Sequence, residues 1–113
     1  MKTEELLTLV ETTLDESKGE ELKVIDVRKT STITDYMVIT TGSSKRHVKA
    51  LSNYVIEASK EKGLVPLGVE GSADSDWVLV DLGNVIVHLM TGQSREFYQL
   101  EKLWDETLKP VSK

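Results

Sequence analysis

The residues of this 113-residue chain that could carry chemistry are few: Thr41-Gly42-Ser43-Ser44, the pair Asp74 and Asp76, Asp81, and the histidines His47 and His88. A strand that runs into a Gly-Ser turn and a helix N-terminus offers free backbone N–H groups to an anion. Nucleotide transfer at such a turn would also need two or three carboxylates converging on Mg²⁺. No acids are spaced for that. Glu57 and Glu61 share a helix face rather than a strand end, and Asp74 and Asp76 follow Gly42 by about thirty residues, in a loop of turn formers. Asp81 comes near a hairpin tip, and strict alternation turns it away from Asp76. The Asp-x-Asp pair therefore reads as a solvated turn. His47 and His88 have no third ligand spaced to complete a zinc site. Ser43 or Ser44 can be written with His88 and Asp81 as a triad, but Asp81 and His88 are not opposed in the registers the hairpin allows. The Gly-rich loop ending in Gly-Lys-Ser/Thr is missing. With no cysteine, disulfides, thiolate metal sites and cysteine nucleophiles are excluded. The expectation is a protein without catalytic, metal or cofactor residues.

Charge suggests binding instead. The net charge of −5 argues against coating nucleic acid by an overall field. Its distribution is uneven. Residues 1–21 hold seven acids against two lysines, and residues 57–81 hold six acids against two bases. Between them, residues 23–49 hold six bases against Asp26 and Asp35. Lys45, Arg46 and Lys49 are the compact part of this island and sit at the start of a helix, facing the positive end of its dipole. They are either plain solvated surface or a site for phosphate or for an acidic partner.

The elements that position these residues follow from periodicity. Leu6, Leu7, Val10 and Leu14 make a helical stripe over 3–17, with Thr3 as the expected cap and Lys18-Gly19 as the terminus. Leu22 to Val27 is a strand whose apolar positions alternate poorly, which suggests burial on both faces or a bulge. Tyr36 to Thr41 is a strand, and Asp35 holds the turn before it. A second helix starts after Gly42 with Ser43 or Ser44 as cap, buries Val48, Leu51, Val55 and Ala58, and stops by Gly63 and Pro66. Leu64 to Val69 is a third strand, with Pro66 near its start or on an edge. Trp77–Asp81 and Val85–Met90 form a β-hairpin around Leu82-Gly83-Asn84, with the turn centred on 82–83 or 83–84. A last helix places Phe97, Leu100, Trp104 and Leu108 on one stripe, widened by Leu103 and ended at Pro110. This order predicts one domain over 1–113 of α/β (α+β) class, with a mixed five-stranded sheet and flanking helices. The passage through 36–69 is long enough for a parallel crossover. No apolar run approaches a membrane span of about 20 residues and no signal peptide is visible, so a cytoplasmic protein is expected.

The hairpin has two unlike faces. Val78, Val80, Leu82, Val85, Val87 and Leu89 share a wholly aliphatic face, which is core. Trp77, Leu79, Asp81, Ile86, His88 and Met90 share the other, where large apolar groups sit beside a carboxylate and an imidazole. Such a face is either covered by a helix or kept for a partner.

The chain also resembles a known family. Asp35-Tyr36, Gly42-Ser43-Ser44, Glu70-Gly71, Trp77, Asp81-Leu82-Gly83, Val87-His88 and the run Arg95-Glu-Phe-Tyr98-Gln-Leu100-Glu101-Lys-Leu103-Trp104 follow, in order and spacing, the pattern of the ribosomal silencing factors, RsfS or Iojap-like. The resemblance covers residues 3–108. It implies a topology related to the nucleotidyltransferase fold without its metal site. It also implies a non-enzymatic repressor that binds the large ribosomal subunit through ribosomal protein L-fourteen and blocks small-subunit joining. The carry-over falls on Trp77, Asp81, Gly83, His88, Arg95, Tyr98, Glu101 and Trp104. Gly83 has a plain turn role, His88 could be a core hydrogen-bonding histidine, and Leu100 and Trp104 could simply pack on the sheet. Partner contacts are expected from Trp77, Leu79, Asp81, His88, Arg95, Tyr98, Lys45, Arg46 and Lys49. The implied partners are the large subunit, neighbouring rRNA, and a second copy in a homodimer. A small RNA-binding module acting in ribosome assembly is the alternative, and behind it a metal-dependent nucleotidyltransferase. Leu82 and Met90 stand where the family often has aromatics, which leaves contacts near the hairpin open.

Overall fold

A computed structural model of the protein describes residues 2–71 and 74–99. The first helix, α1 (Thr3–Glu16), buries Leu6, Val10 and Leu14, one residue per turn along one side. Its N-cap position is Lys2, not Thr3: the Glu5 carboxylate accepts from the Lys2 N–H at 3.0 Å. Thr3 lies inside the first turn, and its Oγ1 accepts from Asn84 Nδ2 at 3.0 Å, tying the helix to the hairpin tip.

The chain reverses through Lys18 into β1 (Glu20–Asp26). Pairing with β2 (Tyr36–Gly42) is antiparallel and slips between Glu20 and Lys23, where Glu21 adopts φ +50°. Of the two readings that the poor alternation allowed, burial on both faces or a bulge, the strand takes the bulge. From β2 the chain turns at Gly42, where a Cβ would lie 2.8 Å from Val48 Cγ2 and 2.9 Å from its backbone nitrogen. Only glycine allows α2 (Lys45–Glu61) to start so close to the strand. Ser44 caps α2, its Oγ accepting from the His47 N–H at 3.1 Å. The buried side of α2 is Val48, Leu51, Ser52, Val55 and Ser59, so Ala58 lies at its margin. The two buried serines return their hydroxyls to backbone carbonyls of Lys49 and Ile56.

The third strand, β3 (Gly68–Glu70), is shorter and later than its composition suggested, and Pro66 stands before it. The hairpin follows as β4 (Trp77–Asp81) and β5 (Val85–Thr91), its turn centred on Gly83-Asn84 with Gly83 at φ +92°. The last described helix, α3 (Gly92–Tyr98), ends with Gln99 in the left-handed region.

The sheet order is β1-β2-β5-β4-β3. β2 and β5 are parallel neighbours, and the other pairs are antiparallel. Thus α2 carries the chain across the sheet to the far edge, and β3, β4 and β5 meander back until β5 lies beside β2. The fold is mixed α/β, with a five-stranded sheet and flanking helices. One sheet face is covered by α1 and α2. Its core joins Leu6, Val10, Leu14, Val48, Leu51 and Val55 to Val38 and all six aliphatic hairpin residues. The other face holds a smaller cluster of Ile25, Val27, Met37, Ile39 and Met90, with Trp77 packed against it. Among the described residues no helix is long and apolar enough to cross a membrane.

The stripe expected along the last helix is not realised at its first member. Phe97 is 78 % exposed. Period identifies residues on one side of a helix, but the sheet meets this short helix through Ser94 and Arg95 instead. Leu100, Glu101, Leu103, Trp104, Leu108 and Pro110 lie outside the described residues.

Candidate functional site

The second face of the hairpin gathers most of the expected contact residues. Along β4, Trp77, Leu79 and Asp81 point the same way; opposite them on β5 stand Met90, His88 and Ile86. Trp77 donates its indole N–H to His88 Nδ1 at 3.0 Å. The Tyr98 ring lies 4.9 Å from the indole, centroid to centroid and tilted by 48°. Phe97 meets Tyr98 edge-on at 5.0 Å. Trp77 is half-buried and both other rings are exposed, so three aromatics form one ridge beside the sheet. Tilted pairs at these distances are the favoured aromatic geometry.

The ridge is held from below. The Asp76 carbonyl accepts from the Thr91 N–H at 2.9 Å and from Ser94 Oγ at 3.0 Å, which locks the start of β4 to the start of α3. Thr91 Oγ1 caps α3 through the Ser94 N–H at 3.3 Å. Arg95 turns inward. Its Nη1 donates to the Glu21 carbonyl at 2.6 Å and to Thr41 Oγ1 at 3.0 Å, so α3 is pinned across the bulge of β1. At the other end of β4 the Asp81 carboxylate accepts from the Gly83 N–H at 2.8 Å and shapes the turn.

His88 is buried in this face. Because Nδ1 accepts from the indole, the ring proton sits on Nε2, which finds no hydrogen-bond partner among the described residues. Burial pushes the imidazole pKa down to about 4, so the ring is neutral at pH 7.

Lys45, Arg46 and Lys49 lie on the helical layer. They border an open concavity of about 450 Å³ together with Ala50, Asn53 and Asp74. The patch meets the aromatic end of the sheet at one point: Lys45 Nζ is 3.9 Å from Asp76 Oδ1, next to Trp77 in the chain. The structure therefore brings Trp77, Leu79, Asp81, His88 and Tyr98 onto one face, puts Arg95 beneath it, and sets the three cations apart as a neighbouring patch.

Two features were not anticipated from sequence. One is exposed Phe97 on the ridge. The other is a clamp through His47, whose Nδ1 accepts from the Ser43 N–H at 2.9 Å and whose Nε2 lies 3.0 Å from the Ser17 carbonyl. This clamp joins the ends of α1 and α2 across thirty residues. Ser43 Oγ is also 3.2 Å from His47 Nδ1, so His47, and not His88, is the histidine beside that serine. Among the described residues no group of three His, Cys, Asp or Glu side chains is placed to hold a metal ion.

An aromatic ridge on a half-covered sheet face, with a basic patch at its end, marks this mixed α/β domain. The chain belongs to the RsfS family, described as ribosomal silencing factor during starvation, whose model matches residues 1–113. This is a family of regulators rather than enzymes. A ribosomal silencing factor RsfS of Haemophilus influenzae is 49% identical over 92 residues, covering 81% of this chain and 90% of that protein. The crystal structure of a Chromobacterium violaceum protein superposes with a TM-score of 0.88 at 39% identity, covering 92% of this chain and 87% of the other. A mouse protein named mitochondrial assembly of ribosomal large subunit protein 1 is 36% identical over 94 residues, covering 80% of this chain and 41% of its own length.

Proposed function

We propose that this protein represses translation in the cytoplasm by binding the large ribosomal subunit at ribosomal protein L-fourteen and physically excluding the small subunit. The observation that carries the reading is the Trp77–Tyr98–Phe97 ridge on the mixed face of the hairpin. Protein interfaces are enriched in such aromatics, and tryptophan and tyrosine dominate binding hot spots. Leu79 and Asp81 extend the face along β4, while His88 and Arg95 serve it from inside by holding Trp77 and α3 in place. The nucleotidyltransferase-like topology lends the sheet and the helix placement, without a role for nucleotide or metal.

Purified protein should cosediment with large subunits and inhibit subunit joining without consuming nucleotide. Metal-dependent nucleotide transfer abolished by Asp76→Ala would refute this. Trp77→Ala should weaken large-subunit binding by about 2 kcal/mol or more, near thirtyfold. Because Trp77 also packs on Met90 and bonds His88, the same change should lower stability. Tyr98→Ala separates the effects: its ring is half exposed, so binding should fall while the denaturation midpoint barely moves. Binding within threefold of wild type for both folded variants would displace the interface from this ridge.

A homodimer using the same face fits the partly apolar surface, since two-fold pairs are the commonest assembly. Light scattering at micromolar concentrations should then give a dimer mass that falls on dilution. A monomer throughout would reject the dimer. A second functional reading, an RNA-binding module acting in ribosome assembly, draws on the Lys45–Lys49 cluster and on the name of the mouse relative. It requires tight, salt-sensitive binding to naked rRNA in the absence of ribosomal protein.

A further inference from the structure

The start of α2 violates the charge rule that α1 obeys. The first turn of α1 carries Glu4 and Glu5 at the positive end of the dipole; the first turn of α2 carries no acid and begins Lys45-Arg46. Lys49 adds a like charge one turn after Lys45, on the same side of the helix. Cations in that first turn are unfavourable in the free protein. Among the described residues Lys45 meets one carboxylate, Asp76, at 3.9 Å and with both side chains more than half exposed. An exposed pair at that distance contributes little. Local rules broken without gain in the fold point to function.

The surroundings say which kind of anion fits. Among the described residues the concavity beside these cations is lined by Lys45, Arg46, Lys49, Ala50, Asn53 and Asp74, none of them large and apolar. A protein partner would need a desolvated apolar or aromatic anchor, and lysine is depleted in such interfaces. Nucleic-acid interfaces are instead polar, wet and positively charged. Lys45 and Lys49 are separated by one helical turn, about 6 Å along the axis, a spacing near the repeat of anions along a ribose-phosphate strand. Ala50 leaves the floor low, and Asn53, one turn beyond Lys49, offers an amide to a phosphate or ribose oxygen. Arg46 stands between this concavity and a second, of about 490 Å³, that exposes Lys18, Ser43, Ser44 and His47 along with Glu20. Against these cations stand Asp74, Asp76 and Glu20, all exposed.

We infer that the Lys45–Arg46–Lys49 patch grips the phosphate backbone of an RNA strand on the large subunit while the aromatic ridge engages protein, so that the domain straddles a boundary between ribosomal RNA and ribosomal protein. This rests on the proposed binding to the large subunit and adds a second, chemically distinct half to it. The junction at Lys45 and Asp76 makes the two halves contiguous around the end of the sheet.

The test compares wild type with Lys45→Glu/Arg46→Glu/Lys49→Glu on purified large subunits. Three lost phosphate contacts should flatten the slope of log affinity against log salt by about 2 to 3. Across a fourfold rise in salt, wild type should lose roughly 20- to 60-fold more affinity than the variant. Hydroxyl-radical footprinting should show an rRNA ribose stretch protected by wild type and not by the variant. The free variant should unfold at the same or a higher temperature, because glutamates suit that helix end. Tyr98→Ala should lower affinity without changing the salt slope. An equal slope for wild type and variant, or a slope change with no patch-dependent ribose protection, overturns the RNA contact; the latter assigns the patch to carboxylates on a protein. A lowered midpoint in the free variant removes its physical ground. If wild type does not bind large subunits at all, the broader functional reading falls with it.

Discussion

Arg95→Ala should destabilise the protein by about 3–5 kcal/mol, the sum expected for two charge-assisted hydrogen bonds, one to a buried hydroxyl and one to a partly buried carbonyl. Arg95 is 9% exposed, and its guanidinium reaches Glu21, 74 residues earlier, and Thr41, 54 residues earlier. Its bond to the Glu21 carbonyl holds a non-glycine residue at φ +50°, a conformation that costs of order 1 kcal/mol and persists only when its surroundings enforce it. Truncation leaves that carbonyl and the Thr41 hydroxyl without this donor and opens a void between α3, β1 and β2. Arg95→Lys keeps the charge but loses the planar fork, so it should recover less than half of the loss. The check is the denaturant midpoint of each variant with unchanged m-value. Because α3 carries Tyr98 onto Trp77, Arg95→Ala should also blunt large-subunit binding without Arg95 touching the partner. A loss below about 0.5 kcal/mol, the level of an ordinary surface change, would show that α3 is held by other contacts.

His88 should make the fold acid-sensitive well above the range in which a carboxylate would. Its folded pKa is pushed down to about 4 from 6.5 because burial penalises the charged ring. Between those values an unfolded chain binds a proton that the folded chain refuses. Stability is therefore full above pH 6.5 and falls as the pH drops towards 4, by about 3 kcal/mol if the whole shift is realised. His88→Gln keeps an acceptor for the Trp77 indole but cannot titrate. The difference in unfolding free energy between wild type and His88→Gln should thus change with pH over this window and be flat above it. A constant difference from pH 7 to 4.5 would mean that the ring is solvated in the folded state. Protonation would also remove the Nδ1 lone pair that accepts from Trp77, so the ridge should loosen in the same window.

The hairpin was the most legible part of the chain. Its two faces follow from a period of two, and all six residues assigned to the core face are at most 4% exposed. The turn and the bulge in β1 were also local properties, set by Gly83 and by broken alternation near Glu21. The helix caps were less secure. Ser44 does cap α2, but the N-cap of α1 fell on Lys2, because several residues before a stripe can satisfy the first N–H groups and packing selects among them.

The stripe expected along the last helix departed at Phe97 for a different reason. Helical spacing put Phe97 with residues that follow it, and the fold instead turns Ser94 and Arg95 to the sheet. Periodicity names a side of a helix; only the neighbouring layer decides which side is buried. The sequence by itself determined the elements, the two-faced hairpin, the basic start of α2 and membership in a family whose motifs run along the chain in order. Tertiary structure alone decided that β5 lies beside β2, that Arg95 ends on Glu21, that His47 joins two helices, and that Trp77, His88 and Tyr98 meet. These contacts close loops of many residues, and their partners are chosen by global packing and burial, which no local spacing encodes.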